Sequence, residues 1–222
     1  MIDTFVFDVD GTLVDTNYHH AVAWYRAFRR YDVTPAIWRI RRAIGMGGDQ
    51  LVEAVAGKQV EDEHGDDVRS AWTGEFDKFL PEVQPFEGAE LLLEDIRKRD
   101  LKLVLASSGE SKHVDHYLDL LNGRKLAEAW TTSEDAEETK PAPDLVETAM
   151  AKVEGVNSVM IGDSTWDAKA AKRAGLPTYA VRTGGFSVEE LLEAGAVSVY
   201  DSLEDLQADL DAIISADLGD RI

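Results

Sequence analysis

Two aspartates, Asp8 and Asp10, stand at the end of the first β-rich run of the chain, Thr4–Val9, and Gly11 follows them directly. Residues two apart on a strand share a face, so both carboxylates can point into one pocket as the strand ends. Carboxylates held that close raise one another's pKa unless a cation lies between them or one keeps its proton. A magnesium ion, with one of the two held as an acid, meets both conditions. Gly11 then lets the backbone turn tightly beside a ligand. Asp-x-Asp is also a common surface turn. Its place at the end of an otherwise apolar strand favours chemistry.

Three further stretches carry suitable groups. Ser107, Ser108 and Gly109 follow a second apolar run and lead into a helical pattern, whose N-terminal amides can bind phosphate. Alone, they read as an ordinary strand–helix loop with capping serines. Lys140 sits in Lys140-Pro141-Ala142-Pro143-Asp144, where the prolines hold an extended loop and then start a helix. A lone lysine usually faces solvent. Asp163 follows Gly162 at another strand end, with Asp167 four residues on. If a helix begins there, Asp163 can cap it and Asp167 can lie over the same edge. Ligands of open α/β sheets bind at the carboxyl ends of the strands. Four acids, a hydroxyl and a lysine at those ends are hard to attribute to independent caps.

The elements that must position these groups alternate. Strand patterns at Thr4–Val9, Leu101–Ala106, Ser158–Ile161, Thr178–Val181 and Ala196–Tyr200 are separated by helical ones. The helical patterns are Ala89–Arg99, Ser111–Leu121, Pro143–Val153, Asp167–Ala174 and Val188–Glu193. This predicts an α/β fold, a Rossmann-like parallel sheet with helices on both faces. Residues 16–82 break the alternation with helical patterns alone: Tyr18–Arg30, Pro35–Ile44, Asp49–Val55 and Asp66–Phe79. They predict an inserted helical domain at 16–82 within a core made of 1–15 and 83–222, hinged near Asp15-Thr16 and Pro81–Pro85. The last dozen residues predict a closing helix with a loose acidic tail.

Composition narrows the function classes. At 222 residues the chain suits one large domain or two small ones. Acids outnumber bases 43 to 23, which argues against nucleic acid or an anionic membrane surface as a general partner. No apolar run approaches the roughly 18 residues of a membrane span, and the start Met1-Ile2-Asp3-Thr4 does not resemble a signal peptide. The absence of cysteine excludes disulfides, a thiolate nucleophile and a zinc ribbon. A cytoplasmic protein, monomeric or a small homo-oligomer, is expected.

Taken in order, Asp8-Val9-Asp10-Gly11-Thr12, Ser107, Lys140 and Gly162-Asp163 with Asp167 closely resemble the four motifs of the haloacid dehalogenase-like superfamily. The resemblance covers essentially the whole chain, since the insert matches that superfamily's helical cap. It implies Asp8 as nucleophile and Asp10 as general acid and base. It implies Mg²⁺ held by Asp8, Asp163 and the backbone carbonyl of Asp10. Phosphate donors would be Ser107, the neighbouring Ser108 and Gly109, and Lys140, with Asp167 orienting Lys140 or a metal-bound water. Thr12 would support the phosphate side of the loop. Dehalogenases of this superfamily have no acid where Asp10 stands, because a departing halide needs no proton, so Asp10 favours phosphoryl chemistry.

Within the superfamily the chain is similar to phosphoglycolate phosphatases and β-phosphoglucomutases. The expected function is a Mg²⁺-dependent phosphatase for a small phosphorylated metabolite. A sugar-phosphate mutase and a catalytically silent binding protein are the alternatives. The insert should set the substrate. Gly45-Met46-Gly47-Gly48 is the expected loop over the pocket, with Gly47 a substrate contact. His20 matches a histidine of the mutases and of some capped phosphatases; packing is its plainer reading. The mutases place an arginine where this chain reads Gly47-Gly48-Asp49, a departure that weakens the mutase alternative. Arg26, Arg29, Arg30, Arg39, Arg41 and Arg42 face one acid, Asp32, between residues 16 and 48. Most are expected to be a solvated surface, with Arg41 and Arg42 as candidate anion contacts. Trp24, Trp38, Trp72 and Trp130 are expected in the core.

Overall fold

Six parallel strands carry the α/β fold that the alternation predicts. The computed structural model describes residues 1–136 and 138–216. Its strands are β1 (Thr4–Phe7), β2 (Lys102–Ala106), β3 (Ala129–Thr131), β4 (Ser158–Gly162), β5 (Thr178–Val181) and β6 (Ala196–Tyr200). They lie in the order β3-β2-β1-β4-β5-β6, and every pair is parallel. The acidic tail expected at the C-terminus falls at 217–222, outside the described residues.

The described chain forms two compact units, Met1–Asp15 with the chain from Gln84 onward, and Thr16–Val83. In the first, β1 is fully buried along its whole length and does not alternate, because both faces of a parallel sheet are covered. The covering helices are α5 (Ala89–Lys98), α6 (Ser111–Leu120), α7 (Gly123–Leu126), α8 (Asp144–Val153), α9 (Thr165–Arg173), α10 (Val188–Ala194), α11 (Leu203–Ala208) and α12 (Leu210–Ser215). Val6, Val104 and Met160 pack with Val146 and Ala149 of α8 and with Ala170 and Ala171 of α9.

Strand order reverses at β1. Successive strands β2 and β3 add to one side of it, and β4, β5 and β6 to the other. Such a switch point opens a crevice at the carboxyl ends of the central strands. Register aligns the exits: Phe7 pairs with Leu105 on one side and Ile161 on the other. The Asp8 N–H still donates to the Ile161 carbonyl at 2.9 Å. Asp8, Ser107 and Asp163 therefore leave the sheet close to one level.

The second unit holds α1 (Asn17–Arg29), α2 (Ile37–Ala43), α3 (Gly48–Ala56) and α4 (Lys58–Phe76). Trp24, Phe28, Ile40, Leu51, Val52 and Val68 form its core. Helix α4 starts eight residues before the expected Asp66. Its first two turns are acidic and contain Gly65, so no apolar period announces them. Glu61 and Arg69 form a two-pronged ion pair, at 2.8 and 3.0 Å, across Gly65. A Cβ on Gly65 would lie 2.5 Å from the Glu61 carboxylate. Glycine there costs about 1 kcal/mol of helix propensity and leaves room for the pair. Trp24 is buried as expected, but Trp38 is 66% exposed, because it stands on the outer face of the short α2.

Candidate active site

Lys140 has 1% of its surface exposed and Asp8 is likewise buried; the two side chains form a direct ion pair. The Lys140 ammonium also lies 2.8 Å from Asp167 Oδ1. Burial alone would lower the lysine's pKa, but the charges of Asp167 and Asp8 outweigh it and raise the pKa above its usual value. The ammonium therefore keeps its proton inside the protein. This is not a solvent-facing lysine.

Asp167 is held from its other side. Ser164 is the N-cap of α9, its hydroxyl accepting from the Asp167 N–H at 3.3 Å. In return Asp167 Oδ2 accepts from the Ser164 N–H at 3.0 Å and its hydroxyl at 2.6 Å, a capping box. The cap is thus Ser164 and not Asp163. Asp163 turns instead toward the end of β1, where Thr12 Oγ1 lies 3.0 Å from its Oδ1 and 2.9 Å from Asp8 Oδ2. With one proton, the Thr12 hydroxyl donates to one carboxylate at a time. Thr12 is fully buried between the two carboxylates.

Asp8, Asp163 and Asp167 bring carboxylate oxygens within 4.8 Å of one another. Three buried acids against one lysine leave an excess of negative charge, and Asp8 records it. Burial raises its pKa well above the ordinary value; Lys140 opposes the rise, and Asp167 and Asp163 add to it. A hard divalent cation with oxygen ligands relieves such an excess, so the donor set fits Mg²⁺. Both Asp167 oxygens already meet Lys140 or Ser164. Asp167 thereby ties the lysine to the N-cap of α9.

The Asp10 side chain is not in that group. Its Oδ2 accepts from the Ser107 hydroxyl at 3.1 Å, and Ser107 Oγ accepts from the Gly109 N–H at 3.0 Å. The Ser107 hydroxyl and the Gly109 amide, expected to face phosphate, are engaged in holding Asp10. Ser108 is partly exposed beside them. Tyr117 of α6 is a neighbour that sequence reasoning missed. Burial first, and then the charge of Asp10, push its phenol well above the usual value. Its buried hydroxyl lies beside the Asp10 carboxylate. On the sequence, Tyr117 is one more residue of an apolar stripe with Val114 and Leu118, and nothing marks it as polar machinery.

His20 and Gly47, expected to bind substrate from the insert, are both buried. His20 stacks on Phe76, ring centroids 3.9 Å apart, and lies 5.6 Å from Trp72. That places it in the aromatic core of the helical unit, as its packing reading expects. Gly47 is the buried N-cap of α3, its carbonyl accepting from the N–H groups of Gln50 and Leu51. Arg26 and Arg30 pair with Glu75, and Arg29 donates to Thr34 Oγ1 at 2.6 Å. Arg41 is buried, with its guanidinium 5.7 Å from the Tyr18 ring.

Residues 5–181 match a family model described as haloacid dehalogenase-like hydrolase. The chain is 30% identical to a phosphoglycolate phosphatase of Caulobacter vibrioides, over 91% of this chain and 88% of that one. It is 27% identical to the pyrophosphatase PpaX of Oceanobacillus iheyensis, over 81% and 83%. A solved structure of a hydrolase from Pseudomonas syringae superposes with a TM-score of 0.89 at 32% identity, over 96% of this chain and 99% of that one.

Proposed function

The chain belongs to the haloacid dehalogenase-like hydrolase family, and from that premise we propose that it is a Mg²⁺-dependent phosphatase. Its substrate is a small phosphorylated metabolite, as for phosphoglycolate phosphatases, hydrolysed through an aspartyl-phosphate on Asp8. One observation carries the reading. Two carboxylates two residues apart have opposite surroundings, Asp8 against the Lys140 ammonium and Asp10 against the Ser107 hydroxyl. That division suits a nucleophile and an acid–base partner.

In the first step an Asp8 oxygen bonds to phosphorus while the bond from phosphorus to the leaving oxygen breaks. Asp10 gives that oxygen its proton. In the second, Asp10, now ionised, takes a proton from water, and the water oxygen bonds to phosphorus. The Asp8–phosphoryl bond breaks, inorganic phosphate leaves, and both acids return to their starting forms. Lys140 stays charged and offsets the negative charge on the phosphoryl oxygens, while Asp167 keeps it in place. Asp8, Asp163 and the Asp10 carbonyl would hold Mg²⁺, which when bound would supply further charge compensation for the phosphoryl group. The helical unit, as the substrate-selecting cap, is part of the same proposal.

The test is a panel of phosphorylated metabolites with Mg²⁺, including phosphoglycolate and pyrophosphate, read as inorganic phosphate. Release from at least one small phosphomonoester is expected. Interconversion of glucose phosphates with negligible phosphate release would replace this reading with the mutase.

A further inference from the structure

After β5 the chain makes one turn of 3-10 helix, Arg182–Gly184, and buries itself again at Phe186. The main chain of Gly184 lies directly against Asp163. A Cβ on Gly184 would stand 1.8 Å from Asp163 Oδ2, 2.6 Å from its Cγ and 2.8 Å from its carbonyl oxygen. No side chain fits there. Gly184 has no left-handed φ, so backbone conformation does not explain the glycine. The approach of the carboxylate does.

Neither side of this contact has room to retreat. Val181 is fully buried at the end of β5, and Phe186 packs with Ala180, Leu191 and Ala196. Between them, the Gly185 N–H closes the turn on the Arg182 carbonyl at 2.9 Å. Asp163 is buried too, and its Oδ1 meets Thr12 at 3.0 Å. Rotating its carboxylate away would break that bond and take it out of the group with Asp8 and Asp167.

We propose that Gly184 is a positioning residue of the cation site. Its bare main chain is the wall that fixes the Asp163 carboxylate in the orientation where it converges with Asp8. The effect on the cation rests on the reading of Asp163 as a Mg²⁺ ligand; the contact between the two residues does not.

Calorimetric titration of Mg²⁺ into metal-free wild type, Gly184→Ala and Arg182→Ala tests the first part. The methyl group should weaken Mg²⁺ binding about 10- to 100-fold, as losing a group that orients a ligand does. Arg182, half-exposed on the same turn and paired with Asp201 at 2.6 Å, should leave affinity unchanged on truncation. Melting of Gly184→Ala in the wild-type and Asp163→Ala backgrounds reads the contact itself, because touching residues couple. A large loss of Tm in the first background and a small one in the second is expected. Wild-type Mg²⁺ affinity in Gly184→Ala, or an equal loss of Tm in both backgrounds, overturns the proposal. If Gly184→Ala does not fold alone, folding of the double variant supports the contact, and failure of the double variant overturns it. A wild type that takes up no Mg²⁺ removes the Mg²⁺ reading, while the melting pair still decides the contact.

Discussion

Lys140 and Asp8 are joined by a buried ion pair although 132 residues separate them in the chain. One comes from the loop before α8, the other from the end of β1. The pair ties the proposed nucleophile to a fixed cation, with Asp167 on the far side of the ammonium.

Removing either partner should therefore have opposite effects on stability. Lys140→Met strands Asp8 and Asp167 without their cation, a loss of about 3–5 kcal/mol for comparable buried pairs. Asp8→Asn removes one charge from an acid-rich cluster. In metal-free buffer at pH 7, Lys140→Met should melt well below wild type and Asp8→Asn at or above it. Scanning calorimetry decides; equal destabilisation by both changes would contradict an excess of negative charge in this cluster.

Tyr117→Phe separates support of Asp10 from support of the fold. The hydroxyl is buried beside Asp10, which Ser107 also holds, so its removal should cost at most about 1 kcal/mol of stability. If it helps hold Asp10, kcat should fall while KM stays constant. An unchanged kcat would reduce Tyr117 to packing.

The helical unit should lose an ion cluster in acid. Glu75 is buried and meets Lys78 at 2.8 Å, Arg26 at 3.8 Å and Arg30. Lys78 holds its carboxyl below the ordinary value of 4.5, with burial opposing and Arg30 adding to the effect. A lowered folded-state pKa stabilises above the unfolded value and is lost as pH falls through the folded one. Wild type should thus be more stable than Glu75→Gln at pH 7, and the gap should close only below pH 4.5. A gap independent of pH would show that packing, not charge, holds Glu75.

Much of this arrangement was legible in the sequence because the strands are short apolar runs that stop at polar residues. Asp8, Ser107 and Asp163 could be placed at strand ends from period alone, and the sheet's register then brings them together. What escaped has tertiary causes. β3 is a three-residue edge strand, too short to show a period. The first half of α4 is acidic around Gly65, whose absent side chain serves the Glu61–Arg69 pair. Thr12 turns to the carboxylates because Asp163, far away in sequence, offers it a second acceptor. The aromatic partners of His20, Trp72 and Phe76, come from α4, which no local pattern on α1 announces. Gly184 reads as a loop glycine until Asp163 is seen against it.

Phosphate release by wild type and Asp8→Asn, each with and without Mg²⁺, decides whether Asp8 is the nucleophile of a Mg²⁺-dependent phosphatase. p-Nitrophenyl phosphate serves as the common substrate. An aspartyl-phosphate on Asp8 predicts Mg²⁺-dependent turnover by wild type and almost none by Asp8→Asn, with both proteins folded. A wild type inactive with Mg²⁺, or an Asp8→Asn variant as active as wild type, would contradict it.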